Sequence, residues 1–221
     1  MLLQAKQVMK QYPNTAGPVV KTTSITIERG TIHVIRGKSG SGKSTILSML
    51  GGMEPPTTGE VIVDRNSLYQ LSDKKQAKIR GEQFGFVFQS FHLVPEMTVE
   101  ENIVLPLRFT KRAIHKEKVH ALAEQLGIVE KLSVRPAFLS GGQQQRVAIA
   151  RSMIAEPKII FADEPTGNLD QETSKVVIEQ LTKLCKKNKQ ALVVVTHEKS
   201  LIKSPDNLYW MEDGVLKEVT P

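Results

Sequence analysis

Three short stretches of this 221-residue chain are apolar almost without interruption: IHVIRG (Ile32–Gly37), IIFAD (Ile159–Asp163) and ALVVVTH (Ala191–His197). A strand that alternates apolar with polar residues keeps one face wet. A strand that is apolar throughout is covered on both faces, as in a parallel sheet flanked by helices. Helical signals follow the first two. The segment from Ser44 to Leu50 runs into Gly51-Gly52 with Pro55-Pro56 beyond, a strong stop. Asp170 is placed to cap a helix reaching about Lys186, whose apolar positions Val177, Leu181 and Leu184 recur at helical spacing. TTSITIERG and GEVIVD alternate and predict a small antiparallel sheet in the N-terminal third, and LYWMEDGVLKEV predicts a hairpin turning at Asp213-Gly214. From Ser90 to Phe138 the strand pattern fades, while Val119, Leu122, Ala123 and Leu126 mark an amphipathic helix stopped at Gly127. The pattern as a whole predicts an α/β core carrying a helical insertion.

Composition narrows the class. With 40% hydrophobic residues, a chain of this length buries one sizeable core. It shows neither repeats nor low-complexity linkers. No apolar run approaches the roughly 20 residues of a membrane span, and MLLQAKQVMKQYP lacks the apolar core and cleavage site of a signal peptide. These features lead to the expectation of a cytoplasmic protein. The single cysteine, Cys185, allows no disulfide framework and falls on the Val177–Leu181–Leu184 face, which suits buried filler. A net charge of +7 favours anionic partners without choosing among nucleotide, nucleic acid and lipid headgroup. The runs DKKQAKIR and KKNKQ read as solvated faces.

Candidate chemistry begins at GKSGSGKST, residues Gly37 to Thr45. It follows a predicted strand, opens a predicted helix and has P-loop spacing. Gly37, Gly40 and Gly42 let backbone N–H groups close around phosphates, with Lys38, Ser39 and Ser41 between them. Lys43 directs a positive charge at the β/γ oxygens, and Ser44 offers a hydroxyl to Mg²⁺. IIFADEP ends an apolar strand in two acids: Asp163 is placed to hold Mg²⁺, and Glu164 to polarise the water that attacks the γ-phosphate. His197 ends another buried strand where parallel sheets place their ligands, and reads as a γ-phosphate contact. His33, His92, His115 and His120 carry no such signal. A second anion site appears in LSGGQQQRVAIAR: Leu139, Ser140, Gly141, Gly142 and Gln143 open a helix with N–H groups free. The chain therefore has a surplus phosphate site.

P-loop, LSGGQ, an acid-terminated strand and a strand-end histidine, in this order, resemble the ATPase subunit of an ABC transporter over essentially the whole chain. The resemblance implies ATP and Mg²⁺ as ligands and a P-loop ATPase fold. That fold comprises a nucleotide-binding core with an antiparallel β subdomain over 1–89 and 157–221, and a helical subdomain over 90–156. It implies a head-to-tail dimer, each ATP lying between the P-loop of one chain and the LSGGQ of the other. It makes Gln89 in FVFQS a sensor of Mg²⁺ and the attacking water, Asp170 in GNLD a contact across the dimer, and Tyr12 in KQYPN the aromatic that stacks on adenine. FGFVFQSFHLVPEMTVEENIVLPL and ADEPTGNLD are similar to the macrolide-exporter and lipoprotein-releasing class. Arg36 and Lys38 depart from that pattern, and the expectation is extra positive charge beside the phosphates.

With no span of its own, such a cassette requires a separate integral membrane permease at the cytoplasmic face of the cell membrane. Docking is expected along Gln89–Glu101, with Met97 and Val99 presented to the permease. The resemblance implies export or mechanical handling of a lipoprotein, peptide or antibiotic. The alternative it leaves open is a sensing complex with little net transport. A soluble relative acting on nucleic acid fits poorly, because the chain has neither a second cassette nor a long coiled-coil insertion.

Overall fold

The computed structural model describes residues 1–198 and 201–219. The described residues form two sheets and six α-helices. The smaller sheet is antiparallel, built from β1 (Leu3–Lys10), β2 (Val20–Ile27), β4 (Thr58–Val63) and the two-residue β5 (Asn66–Ser67), in the order β2-β1-β4-β5. The larger sheet contains β3 (Ile32–Gly37), β6 (Phe84–Phe88), β7 (Ile159–Asp163), β8 (Ala191–Thr196), β9 (Asn207–Glu212) and β10 (Val215–Val219). Its order is β10-β9-β3-β8-β7-β6, parallel except for the β9–β10 hairpin at the edge. The three continuously apolar runs are thus its central strands, as double-sided burial requires.

The helices are α1 (Lys43–Leu50), α2 (Asp73–Gln83), α3 (Val99–Phe109), α4 (Lys116–Gln125), α5 (Gly141–Met153) and α6 (Gln171–Lys187). The basic run DKKQAKIR forms most of α2, which buries no residue and is a solvated helix. Strand β6 left no alternating trace because its FGFVF sequence is an edge strand under a helix. A Cβ on Gly85 would stand 2.4 Å from the Ser152 carbonyl oxygen of α5.

Each face of the larger sheet has its own core. Ile35, Phe161, Val193 and Val195 point toward the antiparallel sheet and α1, meeting Leu3, Ile27, Ile46 and Leu50. Val34, Ile160 and Val194 point the other way, into a cluster that runs through Val177 and Leu181 of α6 to Val147 of α5 and Ile103 of α3. The helices of the 90–156 region therefore share a core with the sheet. Alternate residues of one strand, pointing to opposite faces, tie both layers together.

Candidate functional site

The C-terminal ends of β3, β7 and β8 lie side by side, so the loops leaving them converge. After β3 the chain turns through Gly40 (φ +76°) and Gly42 (φ +103°) into α1. Neither turn suits a side chain, and a Cβ on Gly42 would also stand 2.6 Å from the Val19 carbonyl. Gly37 is fixed from behind, where a Cβ would come within 2.2 Å of the Met211 carbonyl. The β9–β10 hairpin thus backs the phosphate loop, and the Gly214 N–H donates to the Ser41 carbonyl at 3.2 Å.

Lys43, only 6% exposed, donates from Nζ to the carbonyls of Gly37 (3.0 Å) and Lys38 (2.9 Å). One residue on, the Ser44 hydroxyl donates to Asp163 Oδ1 at 2.9 Å. Burial raises the Asp163 carboxyl above its ordinary range, opposed by the Ser44 hydrogen bond; the neighbouring Glu164 charge raises it further and Lys43 opposes it. A half-desolvated carboxylate beside a hydroxyl, in a cleft facing the phosphate loop, is a hard-oxygen donor set that suits Mg²⁺ shared with a nucleotide.

Glu164 stands at φ +45°, an uncommon backbone state for a non-glycine residue. Its N–H donates to the Val195 carbonyl at 3.0 Å, fixing that state from β8. The carboxylate is held from two sides. Lys43 Nζ lies 3.7 Å from one oxygen, and His197 Nδ1 lies 2.9 Å from the other, with the His197 N–H at 3.3 Å. Gln89 reaches the same cleft but pairs with the loop after Glu164: its amide donates to Asn168 Oδ1 at 3.1 Å, and Asn168 donates to the Gln89 carbonyl at 3.0 Å. Together Ser39, Gly40, Gly42, Lys43, Ser44, Thr45, Gln89, Glu164 and His197, with Val19, line an open cleft of ≈ 600 Å³.

The other sequence candidates lie outside that lining. The Tyr12 hydroxyl donates to Glu54 at 2.7 Å, and the Lys10 ammonium stands 5.1 Å from its ring centroid. Burial, and then the Glu54 hydrogen bond, raise the Tyr12 phenol above its ordinary value. Ser140 caps α5 in a reciprocal box: its hydroxyl accepts from the Gln143 N–H at 3.3 Å, and its own N–H donates to Gln143 Oε1 at 3.0 Å. Asp170 caps α6 by accepting from the N–H groups of Glu172 and Thr173 and from the Thr173 hydroxyl at 2.6 Å. These two caps touch, since a Cβ on Gly142 would stand 2.4 Å from Thr173 Cγ2.

Two expectations are corrected. Arg36 adds no charge to the cleft; it turns away and donates to the Ile202 carbonyl at 3.0 Å. The Lys38 side chain is 80% exposed and leans toward Glu212 at 3.6 Å. Val99 cannot present itself to a partner, for it is fully buried at the start of α3, whose capping box of Thr98 and Glu101 needs that entry angle. Met97 is half-buried.

Sequence reasoning missed Gln145 and Arg151. Gln145 is fully buried, and its amide donates to the Pro165 carbonyl, just past Glu164, and at 3.4 Å to the Phe88 carbonyl, just before Gln89. Its Oε1 has no partner among the described residues. Arg151 donates to the carbonyls of Phe91 (2.6 Å) and His92 (2.5 Å), both at positive φ. The helix that opens with Ser140 therefore grips the chain on both sides of Gln89. The available signal was position: Gln145 falls three residues after Gly142 and four before Ile149, on the stripe of α5 that is buried.

A P-loop cleft with an acid-terminated neighbouring strand, under a six-stranded sheet with a second antiparallel sheet, defines a nucleotide-hydrolysing cassette. A family profile described as "ABC transporter" matches residues 20–167. The lipoprotein-releasing system ATP-binding protein LolD of Shewanella frigidimarina is 41% identical over 99% of this chain and 93% of its own. The LolD protein of Legionella pneumophila (strain Lens) is 38% identical over 98% and 97%. The macrolide export ATP-binding/permease protein MacB of Bdellovibrio bacteriovorus is 40% identical over 98% of this chain, which spans 33% of that longer protein. Among solved structures, the dimeric cassette MJ0796 bound to ADP and Pi superposes with a TM-score of 0.88, at 34% identity and full coverage of both chains. The chain belongs to the ABC transporter family, as one of its ATP-hydrolysing cassettes.

Proposed function

We propose that this cassette drives a separate membrane permease by ATP-dependent closure of a head-to-tail dimer, at the cytoplasmic face of the cell membrane. The cargo class is a lipoprotein, peptide or antibiotic moved or handled outward. The relatives named for lipoprotein release and macrolide export support that class. One observation carries the dimer reading. The cleft around Lys43 and Glu164 is lined by nothing from Leu139–Gln143, while the α5 N-terminus there begins at the exposed Ser140, an anion site that a γ-phosphate held by a partner chain would fill.

In this reading Ser44 and Asp163, with Gln89 nearby, would hold the Mg²⁺ that accompanies ATP. The metal would supply charge neutralisation at the phosphates. Lys43 binds the β/γ oxygens. Glu164 orients the attacking water and accepts its proton, and His197 holds the Glu164 carboxylate and meets the γ-phosphate. Tyr12 stacks on adenine, and Asp170 and its α6 cap contact the partner. Residues 90–156 move as the helical subdomain. The permease seats in an apolar groove of ≈ 400 Å³ between β6 and α3, lined by Phe86, Phe88, Leu105, Pro106 and Phe109.

The test is Glu164→Gln. It puts a carboxamide of nearly the same shape where the carboxylate stood and removes the base. ATP binding should persist and an ATP-bound dimer should accumulate, while turnover falls by about 10²–10⁴-fold. Near-normal hydrolysis would remove Glu164 from the chemistry.

A further inference from the structure

The connection from α3 to α4 is unlike the rest of the surface. Residues Arg108 to Lys118 read RFTKRAIHKEK, five lysines and arginines plus His115 against a single acid, Glu117. Every residue from Lys111 to Lys118 is exposed. Two large apolar residues stand among these cations in open solvent, Phe109 at 80% and Ile114 at 43% exposure. Beneath lies a hollow of ≈ 270 Å³ whose floor includes the buried Leu107 and Ile154 and whose rim is Arg112, His115 and Lys118. Lys118 is paired with Glu156 at 2.6 Å, and the Arg112 guanidinium donates to the Ala155 carbonyl beside it, while Lys111 and Lys116 have no carboxylate partner among the described residues.

We propose that this connection is a contact with an anionic lipid surface. Lys111 and Lys116 meet the headgroup phosphates, and Phe109 and Ile114 enter the boundary between headgroups and acyl chains. An aromatic and an aliphatic residue flanked by cations on a short exposed segment make an interfacial pattern: apolar burial and Coulomb attraction act together there. A protein partner would instead require a contiguous apolar patch; Ile114 stands alone among Arg112, His115 and Lys116, and Phe109 lies where the groove ends and the cations begin. The hollow adds a cationic rim over an apolar floor, the two chemistries of one phospholipid. The overall charge of +7 adds a long-range attraction of the same sign. The orientation rests on the permease reading above, because Phe109 borders both the groove and this connection.

The test uses the full chain, without permease, and vesicles of phosphatidylcholine alone or enriched in phosphatidylglycerol. Co-sedimentation should be at least tenfold greater on the anionic vesicles and should fall as salt is raised, since screening shortens the attraction. Lys111→Glu with Lys116→Glu should lower binding roughly fivefold for each charge reversed, about 25-fold together. Ile114→Ser should lower it on anionic vesicles, and basal ATPase and melting temperature should be unchanged in all these variants. Equal binding to both vesicle types would overturn the proposal, as would charge reversals without effect. Retention only when permease is present, whatever the lipid charge, would overturn it too and would make the connection a protein contact. Loss of the groove reading alone would show in permease binding and leave these permease-free results intact.

Discussion

Glu164 owes its position to backbone and side-chain restraints together. A φ of +45° costs a β-branched or bulky residue more than it costs glycine, and the Val195 carbonyl accepts from its N–H to hold it there. Lys43 and His197 then fix the carboxylate oxygens. His197→Ala should therefore lower kcat far more than it weakens ATP binding, measured by steady-state hydrolysis and nucleotide titration; an equal loss in both would make His197 a binding residue only. Elsewhere a histidine is plain core. His33 is buried, hydrogen-bonded to the Thr31 hydroxyl at 2.7 Å and stacked on Tyr209, and burial lowers it to about 4. Cys185 is buried among α6 side chains, and desolvation pushes its thiol up to about 12. A thiol that does not ionise is a poor nucleophile. Labelling by a maleimide should be slow in the folded protein and should track unfolding by denaturant; fast labelling under native conditions would show the site open.

At the scale of elements, α5 is the member that joins one site to the next. Its N-terminus presents Ser140 outward, and its body carries Gln145 and Arg151 to the backbone on either side of Gln89. Gln145→Leu keeps the volume and leaves the Pro165 and Phe88 carbonyls unpaired. That should cost about 1–3 kcal/mol, a fall of about 2–4 °C in Tm per kcal/mol at this chain length, with hydrolysis reduced beyond what the stability loss explains. Unchanged melting would show those carbonyls satisfied by water. The α6 cap titrates. The Thr173 hydroxyl and N–H hold the Asp170 carboxyl below its usual range. A carboxyl depressed by folding stabilises the fold at neutral pH and loses that contribution as pH falls through its native pKa. Asp170→Asn still caps but does not ionise, so its stability should decline less steeply on the acid side in pH-dependent melts. A parallel acid limb in both proteins would assign the loss to other carboxyls.

For the molecule as a whole, the proposed function makes one chain the carrier of two half-sites. Lys43→Ala breaks a chain's own nucleotide site, and Ser140→Arg breaks the one it offers to a partner. Each homodimer is then broken twice. A mixed dimer regains one intact composite site, from the P-loop of the Ser140→Arg chain and the LSGGQ of the Lys43→Ala chain. Mixing should restore ATP-dependent heterodimers by size-exclusion chromatography at saturating Mg-ATP. No heterodimer from two folded variants would place the LSGGQ function within its own chain.

The strand cores, the glycine turn at Gly40–Gly42, the helix start at Ser140 and the cap at Asp170 were legible in the sequence by itself, because each is a local requirement. Burial on both faces demands continuous apolar runs, positive φ demands glycine, and a helix start demands an acceptor. The role of Arg36 was not legible: its place in β3 was clear, yet the direction of its side chain depends on Ile202, far along the chain. The same holds for Val99, whose burial depends on helices that close over it, and for Gln145, whose partners Phe88 and Pro165 come from two other strand ends. Tertiary structure decided these because a long side chain takes its partner from whatever the fold brings near. Local chemistry sets only what it can offer.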